Sequence, residues 1–192
     1  MTCRDKKEKT DSANYIFDGV KDRVVGKLPG QINGQQFIIQ NCQVKEQLRQ
    51  RFVPCDVDGK RLLQRSRIFV RDTTASVSID DCSECDIVVG PCRGSVFVRD
   101  CSDCRLLVLV QQFRTRDCRS LDVWLYCQTQ PIIEESKGVR LAAATLSYAD
   151  LPAQMNGARL SPFNNRWSDV HDFTPGEGHF HLMHPDTPNP FQ

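Results

Sequence analysis

Much that would declare a function is missing from this sequence. The first residues, Met1-Thr-Cys-Arg-Asp-Lys-Lys-Glu-Lys, are charged throughout and lack the apolar core of a signal peptide. The longest clean apolar run, Leu106–Val110, is far short of a membrane span. The expectation is therefore an intracellular chain. Its 192 residues carry a net charge of only +1, so there is no global pull toward nucleic acid or membrane. Neither GxxxxGK[ST] nor GxGxxG occurs, which leaves no recognisable nucleotide cradle of its own. Ser168, His171 and Asp172 are too close in sequence to suggest a catalytic triad, which is a matter of spatial roles.

What is present is an ordinary globular composition, 40% hydrophobic and 26% charged, with ten cysteines. That length supports one sizeable core and a small appendage. In a reducing compartment ten cysteines are either packed thiols or metal ligands; in an oxidising one they would pair. The ends differ from the middle. Residues 1–13 are polar and expected to be flexible. Residues 176–192 are rich in Gly and Pro without any period, as in an irregular tail or a linker.

The middle repeats itself. Four segments end alike: Phe37-Ile-Ile-Gln-Asn-Cys42, Val77-Ser-Ile-Asp-Asp-Cys82, Val96-Phe-Val-Arg-Asp-Cys101 and Phe113-Arg-Thr-Arg-Asp-Cys118. The last three cysteines are 19 and 17 residues apart. A second apolar segment follows each of these three: Cys85-Asp-Ile-Val-Val, Cys104-Arg-Leu-Leu-Val and Leu121-Asp-Val-Trp-Leu. Ile87, Leu106 and Val123 fall in one column, Val89, Val108 and Leu125 in another, and Asp86, Arg105 and Asp122 in an outward one. Alternation of period two marks half-buried strands. Repeats of about twenty residues mean stacked units that share one core. With no helical stretch between the strands, the fold class is all-β, a parallel β-helix, with rungs about 4.8 Å apart. The repeat is interrupted after Cys42 and resumes at Ser66-Arg-Ile-Phe-Val70. The intervening insertion, about 43–66, is predominantly basic; it is either a solvated loop or a docking site for an acidic surface.

Cys82-x2-Cys85 and Cys101-x2-Cys104 match a four-cysteine zinc spacing. The next unit, however, has Cys118 followed by Leu121, and a position that accepts leucine is a core position. The repeat therefore favours a stacked cysteine ladder over zinc, and no metal ligands are assigned. His179, His181 and His184 lie in the irregular tail and are not assigned as ligands either.

The register places residues five and three before each cysteine inward, and residues four and two before it outward. Arg114 and Arg116 thus share an outward face with Gln112. Arg116 stacks on Arg99 and Asp80, as in a structural salt ladder. Arg114 stacks on Phe97 and Ser78 and has no charged neighbour in its column. An outward arginine on a rung is either simply solvated or a working residue. Its planar guanidinium, on a rigid strand, suits phosphate. Supplied to another protein, such a group can neutralise charge on a transferring γ-phosphoryl group.

These residues resemble the tubulin-binding cofactor C (C-CAP/cofactor C-like) family, in its retinitis-pigmentosa branch. The resemblance rests on Gly34–Cys42, Ser78–Cys82, Gly94–Cys101, Gln111–Cys118, Thr129–Glu134 and the stretch Phe163-Asn-Asn-Arg-Trp-Ser-Asp-Val-His-Asp-Phe-Thr-Pro175. It spans about residues 14–175 and implies one domain there, a right-handed parallel β-helix with short irregular or helical C-terminal decoration. It also implies a GTPase-activating protein, not itself an enzyme, for an Arf-like small GTPase in ciliary trafficking of lipidated cargo. The GTP and Mg²⁺ would be bound by that partner, and the location would be the cytoplasm at the ciliary base or basal body. Arg114 would be the arginine finger, with Gln111 and Gln112 beside it. Glu134 and Phe173 would be partner contacts, and Arg116 a supporting one. The alternative is a tubulin-binding or tubulin-folding module without GTPase activation. Three features depart from the branch. Thr2 stands where myristoylation needs glycine, leaving only weak lipidation at Cys3; the branch's second, nucleotide-kinase-like domain is missing from this sequence, through natural absence or truncation; and the basic insertion is extra.

Overall fold

The left-handed backbone region explains why the repeat is punctuated by Asn-Cys and Asp-Cys. In the computed structural model, which describes residues 15–43, 66–174 and 179–191, the residue before each repeat cysteine turns a corner with positive φ. Asn41, Asp81, Asp100 and Asp117 have φ of 54°, 50°, 51° and 52°. Asn and Asp tolerate this region better than other side-chain-bearing residues, because a short polar side chain can bond locally. Three residues after Asp81, Asp100 and Asp117 the chain turns again at Glu84, Asp103 and Ser120, and Glu135 and Gly138 repeat the pair one rung on, all with positive φ. A pair of such corners swings the chain from one face of the coil to the next.

The strands between the corners stack in parallel. The first face carries β1 (Ile16–Asp18), β3 (Phe37–Gln40), β5 (Val77–Asp80), the end of β6 (Cys85–Arg99), the end of β7 (Arg105–Arg116), β9 (Ile132–Glu134) and β11 (His171–Asp172). The second face carries β2 (Val24–Lys27), β4 (Ser66–Val70), the starts of β6 and β7, β8 (Asp122–Cys127), β10 (Val139–Ala143) and β12 (Phe180–Leu182). Every strand pairing among the described residues is parallel on both faces, and the whole is a β-solenoid of about six turns. The expected parallel β-helix is thus the fold observed. The strand expected to resume at Ser66 is β4, in register with Cys85–Val89. Residues 44–65, most of the insertion, and residues 1–14, with Cys3, lie outside the described residues.

Inside the coil the columns run as the repeat predicts. Phe17, Ile39, Ile79, Val98, Thr115, Ile133 and Asp172 follow one another in register. The repeat cysteines form a buried ladder of free thiols, Cys42, Cys82, Cys101 and Cys118. Each donates to the carbonyl two residues earlier, Cys101 to Arg99 at 3.0 Å and Cys118 to Arg116 at 3.1 Å. Ser136 performs the same office on the next rung, donating to Glu134 O at 2.9 Å. In the second column Ser66 stands opposite Cys85. Thiol and hydroxyl are interchangeable there because both can satisfy a corner carbonyl.

One outward column differs from the alternating pattern. Arg67, Asp86, Arg105, Asp122 and Arg140 alternate in charge as a solvated column should, with Arg105 and Arg140 each gripping an aspartate through two bonds of 2.5–2.7 Å. Two residues on, Val88, Leu107 and Trp124 also point outward, yet all three are buried. A second apolar cluster covers them, built from residues 144–162 and the tail. It includes α1 (Leu151–Gly157), which begins with Pro152 in its first turn, where proline has no helical bond to lose. The 176–192 segment, expected to be irregular, contributes β12 and sets Phe191 edge-on to Trp124 at 5.9 Å. Among the described residues no helix is long and apolar enough to cross a membrane.

Candidate functional site

The site grows out of the first face. Because side chains alternate along a strand and strands are in register, every second residue forms a vertical outward column. One column reads Ser78, Phe97, Arg114, Ile132, His171. The next reads Asp80, Arg99, Arg116, Glu134. Phe173 follows at the end of the second column, its N–H bonded to Ile133 O at 2.9 Å. From Val77 to Ile133 the inward side chains of these rungs are buried, which holds the outward groups on a stiff base.

Arg114, exposed at 45% of its side chain, is placed as expected but is not unpartnered. Its Nη2 donates to Glu134 Oε2, and its guanidinium lies over the Phe97 ring at 5.5 Å. Register alone relates each residue to its own column, and Glu134 belongs to the neighbouring one. An arginine is long enough to reach diagonally across one rung, so the column rule missed the pair. The same bond dictates the fate of Arg116. Glu134 stands opposite Arg116 in register but turns to Arg114, and Arg116 pairs instead with Asp117 at 3.2 Å. Arg99 closes on Asp80 at 2.6 Å and flanks Phe97 at 5.1 Å. The expected ladder is therefore a single Asp80–Arg99 pair, with Arg116 outside it. The Arg114 guanidinium holds the Glu134 carboxyl below the usual carboxylate range, so the pair is ionic at neutral pH.

Above this surface lies an open depression of about 700 Å³. Phe97, Gln112, Arg114 and Ile132 form its floor and wall; His171, Phe173 and Arg166 form its rim. Gln112 is exposed beside Arg114, as expected. Gln111 is placed differently: it does not line the depression, and its carbonyl accepts bonds from Thr129 N–H at 3.0 Å and Thr129 Oγ1 at 2.9 Å. Phe173 is a largely exposed aromatic, 58% accessible, packed edge-on against His171 with centroids 4.5 Å apart. Arg166 was not singled out in the sequence. It is paired with Asp169, whose other carboxylate oxygen accepts from Gln130 at 3.0 Å. The only signal for it was its place within the Phe163–Pro175 motif.

The depression thus joins two guanidiniums, an imidazole, two glutamine amides and the outward rings of Phe97 and Phe173 on rigid backbone. It can receive an anionic group and an apolar contact together. Among the described residues no group of three or more His, Cys, Asp or Glu side chains is disposed to hold a metal ion.

The tubulin binding cofactor C family profile matches residues 60–173. Protein XRP2 of Xenopus laevis is 45% identical over 184 residues, 95% of this chain and 46% of its own length. Protein XRP2 of Homo sapiens is 44% identical over 174 residues, 91% of this chain and 44% of its own. The chain therefore spans less than half the length of these relatives. Among solved structures, tubulin binding cofactor C from Leishmania major superposes with a TM-score of 0.51 at 21% identity, covering 62% of this chain and 84% of that one, a likeness of fold. A family profile that covers the rungs from β4 to the rim residue Phe173, together with relatives alike over almost the whole chain, shows that the chain belongs to the tubulin binding cofactor C family.

Proposed function

We propose that this protein is a GTPase-activating protein for an Arf-like small GTPase, supplying Arg114 in trans to the partner's nucleotide. The observation that carries the reading is the placement of Arg114. It is half-exposed at the wall of a depression, on a rung whose inward side chains are fully buried, and tethered by one exchangeable ion pair. The partner would hold GTP and Mg²⁺. Arg114 would leave Glu134 to meet the charge that develops on the γ-phosphoryl oxygens, a role worth about 10³–10⁵ in rate. Gln112, on the same strand and face, would bond the partner beside the finger. Phe173 and His171 would supply the apolar rim contact, and Glu134 would meet partner cations once Arg114 had swung away. The setting in this reading is ciliary traffic of lipidated cargo, from the cytoplasm at the ciliary base.

A single-turnover GTP hydrolysis assay with an Arf-like GTPase tests this. Stimulation by the wild type and its loss in Arg114→Ala is the expected result. A variant that stimulates as well as the wild type excludes the finger. The second reading is a tubulin-binding module, favoured by the family's name and by the solved cofactor from Leishmania major. It expects capture of tubulin that survives Arg114→Ala and weakens when residues 44–65 are deleted.

A further inference from the structure

We infer that His179 and Asp172 are positioning residues for the rim of the site, so that the segment after residue 178 serves partner binding as well as covering the core. This rests on the reading of the depression as the GTPase-docking site. β11 is only two residues long, and among the described strands it pairs with β9 alone. So short a strand, bonded on one side, does not hold its own register. Yet it and the next residue carry the rim, His171 and Phe173.

Three bonds fix it. Asp172 lies in the inward column, above Ile133, where a carboxylate needs a partner. Its Oδ2 accepts from His179 Nδ1 at 2.7 Å, with both side chains largely buried. Its Oδ1 accepts the Thr174 N–H at 2.9 Å, and Thr174 Oγ1 accepts the Glu135 N–H at 2.9 Å. Phe173 is therefore pinned on both sides, by Asp172 before it and Thr174 after it. His179 is in turn anchored to the coil: its carbonyl accepts the Val139 N–H at 2.9 Å, and β12 follows immediately in register with β10. The His–Asp bond thus links the residue that leads into the second-face strand β12 to the first-face strand that presents the rim.

Neither side chain lines the depression, so removing the bond should weaken docking and spare the chemistry at Arg114. The test is a saturation curve of stimulated GTP hydrolysis by an Arf-like GTPase, for the wild type, His179→Ala, His179→Gln and Arg114→Ala. It is joined to hydrogen exchange of the Phe173 amide in the absence of any partner. Expected for His179→Ala is a KM raised about tenfold with kcat within about twofold, the loss typical of a loosened contact residue. Phe173 N–H should exchange faster while the Arg119 and Asp122 amides of the central rungs stay protected. Glutamine can still donate to Asp172, and His179→Gln should recover most of both effects. An unchanged KM in His179→Ala, or unchanged Phe173 exchange, overturns the inference. So does a general loss of protection in His179→Ala that His179→Gln does not repair, since that marks a merely structural residue. If the wild type gives no stimulation, the function proposed above fails, and the exchange measurement alone still decides whether His179 holds the rim.

Discussion

Arg114 and Glu134 pair across columns: the guanidinium leaves its own stack, reaches one rung up and one position along, and takes the carboxylate that register would have given to Arg116. The bond is exposed and therefore easily exchanged, and it aims the guanidinium along the face while leaving it accessible.

The first prediction follows from that geometry. Glu134→Ala should leave the melting temperature close to that of the wild type, because exposed ion pairs contribute little to stability. In the stimulated GTPase assay it should lower kcat about tenfold, since a swinging arginine must be ordered again at each encounter. A Glu134→Ala protein with wild-type kcat would show that the pair does not orient Arg114.

Thr115 lies under the Arg114 strand, fully buried between Val98 and Ile133, and its hydroxyl has no hydrogen-bond partner among the described residues. Replacing an unsatisfied buried hydroxyl with a methyl of similar shape removes a desolvation cost. Thr115→Val should stabilise the fold by about 1 kcal/mol in urea denaturation. A loss of stability would reveal a hidden partner for the hydroxyl.

Gly94 opens the Gly94–Cys101 motif, and a Cβ there would lie 2.4 Å from Ala75 O, a backbone atom that cannot move aside. Gly94→Ala should destabilise by about 1–3 kcal/mol. At the corner residue Asp100, with φ of 51°, the order should invert: Asp100→Gly should be nearly neutral, and Asp100→Val should cost about 1–2 kcal/mol. Denaturant midpoints for the three variants test both statements.

The cysteine ladder yields a metal prediction. Ser136 occupies a ladder position without loss of the corner bond, so Cys101→Ser should cost only about 1 kcal/mol. Chelation should leave the melting temperature unchanged. A large fall on adding EDTA would instead mean that Cys82, Cys85, Cys101 and Cys104 hold zinc.

Burial also sets an alkaline limit. It pushes the Cys92 and Cys127 thiols up, and it raises the Tyr148 hydroxyl to about 12. A raised folded-state pKa gives stability that is complete below the unfolded value and lost as pH climbs toward the folded one. The unfolded thiol and phenol titrate near about 8.5 and 10. Stability by urea denaturation should therefore be flat from pH 7 to 8 and fall progressively above pH 9. Tyr148→Phe should soften the fall above pH 10.

The repeat made the coil legible because inward positions such as Val77, Val96 and Phe113 alternate with polar ones and end on the same corner. Val88, Leu107 and Trp124 were harder: they lie in continuous apolar runs, and period two cannot tell which side of a doubly covered strand is the core. Their cover comes from residues 144–162, which have no repeat to betray them. At the site, alternation sufficed to expose Arg114 and Gln112 together. It could not reveal the Glu134 partner, because that pairing depends on the length of a side chain and not on the register of the backbone. His179 was visible only as one of three histidines in a tail, with nothing to tie it to Asp172.

The two described ends of the coil share a feature. At the first rung Lys27 stands in the inward column above Val70, its ammonium 6.0 Å from the Phe17 ring. At the last, Asp172 stands inward and is met by His179. The rung spacing of this fold is that of amyloid, and the terminal strand of any such coil is an edge at which a copy could pair. A charge turned inward at each end would have to be desolvated against the neighbour's rung before such a copy could add. Charge turned inward at an edge rung is one of the devices by which β-sheets resist pairing with copies of themselves.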